Sequence, residues 1–199
     1  MVFKKNIMLK VFILLKFFLL LGGCTYQYTN GYNLDIEDIK KIKLNVKSFE
    51  INKVDLDITT TENLLQNEIN KKVLNKLEAW AWQKFATEGI ENKAFLKLLK
   101  IDTSLIEKRN NKKSILSIIH QGKEVYKISL NFDLSINAND SLIKTLKITS
   151  SLDFALLNKY SIAQRNKVII HNVNKLMKLI DEKITFQLNN KAFNKFVTM

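Results

Sequence analysis

From Tyr126 to Ile136 the chain alternates without a break. Tyr126, Ile128, Leu130, Phe132, Leu134 and Ile136 are apolar, and Lys127, Ser129, Asn131, Asp133 and Ser135 between them are polar. A period of two sends successive side chains to opposite faces, so this stretch predicts a strand with one buried and one wet face. Asn137-Ala138-Asn139-Asp140 reads as a turn, and Leu142, Leu146, Ile148 and Leu152 carry the pattern into a further strand. The two pair as an antiparallel hairpin. Its polar outer face leaves the sheet covered on one side only, and the rest of the chain must supply that cover.

Two helical stripes supply it. Ile69, Val73, Leu77, Trp80 and Ala81 recur at spacings of three and four, with Lys71, Lys72, Asn75, Glu78 and Gln83 mainly opposite. Thr61, Glu62 and Asn63 offer capping side chains for this helix, which is expected to run to about Glu88 and to end at Gly89. Trp80 and Trp82 cannot both face a core, so the pair is read as one core residue and one at a flank or a lipid interface. The second helix spans about Ser161 to Asn189, with Ile169, Val173, Leu176, Ile180 and Ile184 on its stripe.

Ile42, Leu44 and Val46 alternate with lysine and asparagine as a first strand. The shift to Phe49 and Ile51 marks a bulge or the strand's end. Residues 94–107 form the second strand, ended by the basic stretch Lys108 to Lys113, while Ser114 to Ile119 is open between loop, strand and a helical turn. The economical arrangement is an α+β two-layer sandwich of order β-α-β-β-β-α, with both helices on one face of a four-stranded, mostly antiparallel sheet.

Ahead of this body stands a different kind of segment. Lys4, Lys5 and Lys10 precede an apolar run to Leu21, and Leu21-Gly22-Gly23-Cys24 closes it with the only cysteine. A charged n-region, an apolar h-region and a small-residue cleavage site make a secretory signal. An uncleaved anchor would need about 20 apolar residues, and Lys10 and Lys16 interrupt this run. The start at Met1 or Met8 stays open. The four-residue motif resembles the lipobox of bacterial lipoproteins, which implies cleavage between Gly23 and Cys24, diacylglycerol on the Cys24 sulfur and an acyl chain such as palmitate on the new N-terminus. No other cofactor and no metal is expected. Several buried acyl chains hold a protein at a membrane where one does not. Thr25 stands where an aspartate would resemble an inner-membrane retention signal, so the expected location is the periplasmic face of the outer membrane. The resulting division is residues 1–23 as signal peptide, 24–40 as tether, 41–190 as one domain and 191–199 as a C-terminal tail.

The formal charge of +13 falls to +9 once Lys4, Lys5, Lys10 and Lys16 leave with the leader. Arg109 and Arg165 are the only arginines, proline is absent, and asparagine and isoleucine are abundant. That bias follows AT-rich codons more closely than it follows a partner. Nucleic-acid binding calls for clustered arginine with interleaved aromatics, and none is expected here.

Several segments of the body also carry a resemblance. Trp80-Ala81-Trp82-Gln83-Lys84-Phe85-Ala86-Thr87-Glu88-Gly89, the strand opened by Tyr126, and Ser161-Ile162-Ala163-Gln164-Arg165 leading to Leu176-Met177 are together similar to small alphaproteobacterial envelope lipoproteins of uncharacterised role. In that family an acid precedes the arginine, where this chain has Gln164, and a proline-rich segment precedes the first helix, which this chain lacks. The element order is also similar to envelope lipoproteins that accompany lipopolysaccharide assembly or lipid transport.

Chemistry is harder to find. His120 and His171 lie about fifty residues apart without thiols or a carboxylate pattern near them, which is no zinc site. No G-x-S-x-G turn, phosphate loop or dinucleotide fingerprint is present. Asp181-Glu182 and Glu37-Asp38 are adjacent and so diverge. The expectation is a non-enzymatic structural or accessory subunit of an envelope complex, held to the membrane by its lipid and bound to a protein partner. The alternative is an accessory protein that binds or carries lipid or lipopolysaccharide. Cys24 carries the assigned role, Arg165 orients the final helix through an ion pair, and Trp82 is the soft candidate for a contact.

Overall fold

The computed structural model describes residues 39–109, 122–138, 141–189, 193 and 195–198. Within them the elements run β1 (Ile42–Leu44), β2 (Ser48–Asn52), β3 (Asp57–Ile58), α1 (Leu64–Lys84), β4 (Phe85–Thr87), β5 (Lys93–Arg109), β6 (Lys123–Ala138), β7 (Ser141–Leu157), α2 (Ile162–Leu188) and β8 (Val197–Thr198). The fold is α+β, as the alternating and helical stripes imply.

The main sheet has the order β2-β5-β6-β7, antiparallel from β5 to β7. β2 and β3 both run parallel to β5 and pair with successive stretches of it, β2 with Lys93 to Lys97 and β3 with Lys100 and Ile101. The irregularity in β5 between Leu98 and Lys100 falls between the two. Every apolar residue of the β6 alternation is buried, from Tyr126 to Ile136.

Two corrections to the sequence reading follow. The main sheet has five strands rather than four, and a second, three-stranded sheet of order β4-β1-β8 lies outside it. The break in pattern after Val46 is the point where the chain passes from one sheet to the other. Strands of two or three residues are too short for a period of two to show. The second correction is the end of α1, which stops at Lys84 instead of Glu88 because Phe85, Ala86 and Thr87 pair in parallel with Ile42, Lys43 and Leu44. Gly89 is no helix cap. Its N–H donates to the Val46 carbonyl at 3.1 Å, and a Cβ there would stand 2.5 Å from backbone atoms of Asn45 and Val46. Glycine is needed because two backbones pass too closely for any side chain.

α1 packs on β5, α2 on β7, and the helices on each other. Both read stripes are fully buried in one core. The helices run in the same direction, since Trp80 and Lys84 near the end of α1 meet Asp181 near the end of α2, while Asn63 and Arg165 at their starts both act on Tyr126. Each start is capped. Asn63 accepts from the Leu65 N–H at 3.0 Å, and Ser161 and Gln164 exchange side-chain-to-backbone bonds in a capping box. Gln164 thus satisfies a backbone N–H that an acid would also satisfy. At the C-terminal end, β8 pairs antiparallel with β1 and Phe193 is buried.

Candidate functional site

The residue assigned the firmest role from sequence, Cys24, lies outside the described residues together with Gly23, and so does His120. His171 is exposed on α2. Among the described residues no group of three or more histidine, cysteine, aspartate or glutamate side chains could hold a metal ion, and no helix is long and apolar enough to cross a membrane. Trp80 is fully buried and Trp82 is 58% exposed, the latter edge-on to Phe49 with ring centres 5.4 Å apart. The pair divides into core and flank as read.

Polar side chains gather in three places. Between the helices, Asp181 Oδ1 accepts from Trp80 Nε1 at 2.9 Å and from the Lys84 ammonium at 2.8 Å, and Lys84 also donates to Thr185 Oγ1 at 2.9 Å. Lys84 has no exposed surface. All of these groups are engaged with one another, which makes the assembly a clamp between α1 and α2.

At the end where both helices begin, Glu124 is the hub. Its Oε2 accepts from the Tyr126 hydroxyl at 3.0 Å and from Arg165 Nη1 at 3.5 Å, and its Oε1 lies 3.6 Å from the Lys108 ammonium. Burial first, and then the hydrogen bond and negative charge of Glu124, push the Tyr126 hydroxyl pKa up, while Asn63 and Arg165 pull it back in part. Neither helix has an acid in its first turn. Glu124 supplies negative charge there from the neighbouring sheet, where two helix N-termini favour it. Arg165 does make an ion pair from the first turn of the final helix, and its partner is on β6.

The third place is concave. A groove of about 490 Å³ is lined by Lys47, Ile90, Glu91, Asn92, Lys93, Phe95, Asn137 and Ala138. The Lys47 N–H donates to the carbonyls of Glu91 and Asn92 at 2.8 and 3.0 Å, which ties the connection from β4 to β5 to the one from β1 to β2. Asn92 takes φ 63° at that fold, a left-handed conformation that asparagine tolerates better than most residues. Lys93 and Asn137 face each other across β5 and β6, and the Asn137 Oδ1 is buried without a hydrogen-bond partner among the described residues. The groove combines two lysines, an unengaged amide oxygen, a carboxylate, Phe95 and the exposed Ile90. Such a wall suits non-covalent holding of a small polar group bearing negative charge.

No protein-family model matches this chain, and no curated protein does. Among solved structures it is similar to a minor lipoprotein of Acinetobacter baumannii (10% identity, TM-score 0.37, covering 78% of this chain and 98% of that one). It is also similar to a Helicobacter pylori protein named for homology to a neuraminyllactose-binding hemagglutinin (10%, 0.40, 78% and 92%). A third such structure is rare lipoprotein B of Shewanella oneidensis (11%, 0.33, 73% and 97%). These likenesses are loose, and nothing about the action of those proteins transfers through them.

The groove was not legible beforehand. Its walls are some forty-five residues apart in the chain and meet through the Lys93–Asn137 register and the Lys47 bonds to Glu91 and Asn92. The one local signal was the polar Glu91-Asn92-Lys93 turn just after Gly89.

Proposed function

We propose that this protein is anchored by lipid on Cys24 to the periplasmic face of the outer membrane and serves there as a non-enzymatic accessory subunit of an envelope complex. The observation that carries this reading is the sequence Leu21-Gly22-Gly23-Cys24 at the end of a charged and then apolar leader. Two further points support it. Fourteen residues lie between Cys24 and Ile39, the first described residue, and a chain of that length reaches at most about 50 Å. The domain would therefore stay close to its membrane. The polar assemblies around Asp181 and Glu124 are satisfied internally, as structural clamps are.

Mass spectrometry of the membrane-purified protein is the test. A diacylated or triacylated peptide beginning at Cys24, absent from Cys24→Ser, is the expected result. An intact leader with a free thiol would end the proposal.

A lipid-binding role draws support only from the groove, where Lys47 and Lys93 could face an anionic headgroup. Between helices and sheet, Leu96, Ile128, Val73 and Leu176 are all fully buried. If headgroup binding is the function, Lys47→Glu with Lys93→Glu abolishes flotation of the protein with vesicles rich in anionic lipid. Unchanged flotation would remove this reading.

A further inference from the structure

β7 is an edge of the main sheet. Its 17 residues pair with β6 on one side and, among the described residues, with no strand on the other. The Thr149 carbonyl accepts from the Lys183 ammonium at 2.6 Å, so the backbone groups of Thr149 face the open side. Alternation along an antiparallel strand then turns those of Thr145, Lys147, Ser151 and Asp153 the same way. Natural sheets blunt such edges with proline, bulges, short strands or inward charges. This sequence contains no proline, and Lys183 is the one side chain that caps the edge among the described residues.

The edge also carries a pattern. On the open face of the sheet Lys97 stands opposite Asp133, and Asp133 opposite Lys147. Six residues along β7, Lys127 stands opposite Asp153. Two rows of alternating charge therefore end at the same edge with opposite signs. A two-fold axis at Ser150 would lay β7 antiparallel against a second β7. Lys147 then meets Asp153 of the second copy, twice, and both rows continue across the join without a like-charge contact. On the inner side Ile148 meets Leu152 and Leu146 meets Phe154. Thr149 meets Ser151, and both present their backbone groups outward, as a hydrogen-bonded pair requires. Moving the axis to Thr149 or Ser151 puts Lys147 against Ser151 or Ala155 and loses both charge contacts.

The helix above the edge repeats the symmetry. Leu179 and Phe186 are 38% and 80% exposed and flank Lys183 on one stripe of α2. Their midpoint lies between Glu182 and Lys183, beside Thr149 and Ser150. The same axis thus sets Leu179 against Phe186 of the second copy on both sides of the join.

We infer that β7 and the outer stripe of α2 form an isologous dimer interface, whose partner is a second copy of this chain. Sedimentation of the full chain in detergent, corrected for bound detergent, reads the number of chains per particle. Wild type is expected to contain two. Ser151→Pro removes an outward N–H without touching the β6 ladder, and is expected to give single chains that still unfold cooperatively, at a temperature that no longer depends on protein concentration. Asp153→Lys is expected to weaken association about tenfold, because like charges then face each other at both symmetric contacts. Lys147→Glu combined with Asp153→Lys is expected to restore it. That double change worsens the pairing with Asp133 and Lys127 inside each chain, so mere loss of stability would not produce the rescue. If Ser151→Pro fails to fold, the charge series decides. Single wild-type chains, a dimer that survives these changes without weakening, or a foreign protein in place of the second copy would each overturn the inference.

Discussion

Lys84 buries its whole side chain in the last turn of α1, and its ammonium is held by Asp181 and Thr185. The two halves of this ion pair are unequal, because the Asp181 side chain retains 18% exposure. Asp181→Ala strands a charge that water cannot reach and is expected to cost about 3–5 kcal/mol. Lys84→Met leaves a carboxylate that keeps Trp80 and some solvent, so the smaller loss belongs to that variant. Urea midpoints of the two measure the asymmetry, and equal losses would contradict it. Tyr126 sets a pH dependence. Its folded pKa is raised above the unfolded value of 10.0, so its contribution to stability is intact below about pH 10 and is lost as pH rises from there through the folded value. Tyr126→Phe is expected to flatten this part of the alkaline stability profile, read as the difference between the two proteins. Residue positions were unevenly legible. The division of Trp80 from Trp82 follows from helical spacing, and position 84 lies four residues beyond Trp80 on the same stripe. Spacing alone would have buried it. The identity of lysine argued the other way, and only a carboxylate 97 positions further along resolves the conflict.

At the scale of elements, β6 and both helical stripes are where periodicity predicts them because each is long enough for its period to be seen. The end of α1 is different. A glycine after a helical run is a good stop signal in isolation, yet here the helix gives way four residues earlier to pair Phe85 with Ile42. The competing force was a strand more than forty residues upstream. Gly89→Ala checks this account. With a Cβ 2.5 Å from the Asn45 and Val46 backbone, the connection after β1 must move, and a loss of about 1–3 kcal/mol in thermal unfolding is expected. A glycine that merely capped a helix at positive φ would be a different case, and Gly89 has no positive φ. The start of α2 offers a milder test. Ser161→Ala removes half of the capping box and is expected to cost about 1 kcal/mol, while Gln164→Glu is expected to be nearly neutral because either side chain can accept the Ser161 N–H bond.

For the whole molecule, the α+β class with two long helices and a sheet was legible, since an alternating stretch and two amphipathic stripes admit few other solutions. The second sheet was not. It is assembled from three short segments at widely separated places in the chain, and no local pattern links them. The groove beside it shares that origin. This second sheet also bears on time. β1 finds one neighbour in β4, but its other edge waits for β8, and the Asn45–Lys195 hydrogen bond beside that pairing spans 150 residues. A ribosome adding about 5–20 residues per second needs about 8–30 s to cover that distance. Until then β1 has at most one strand neighbour, and the three-stranded sheet can close only after β8 has been made.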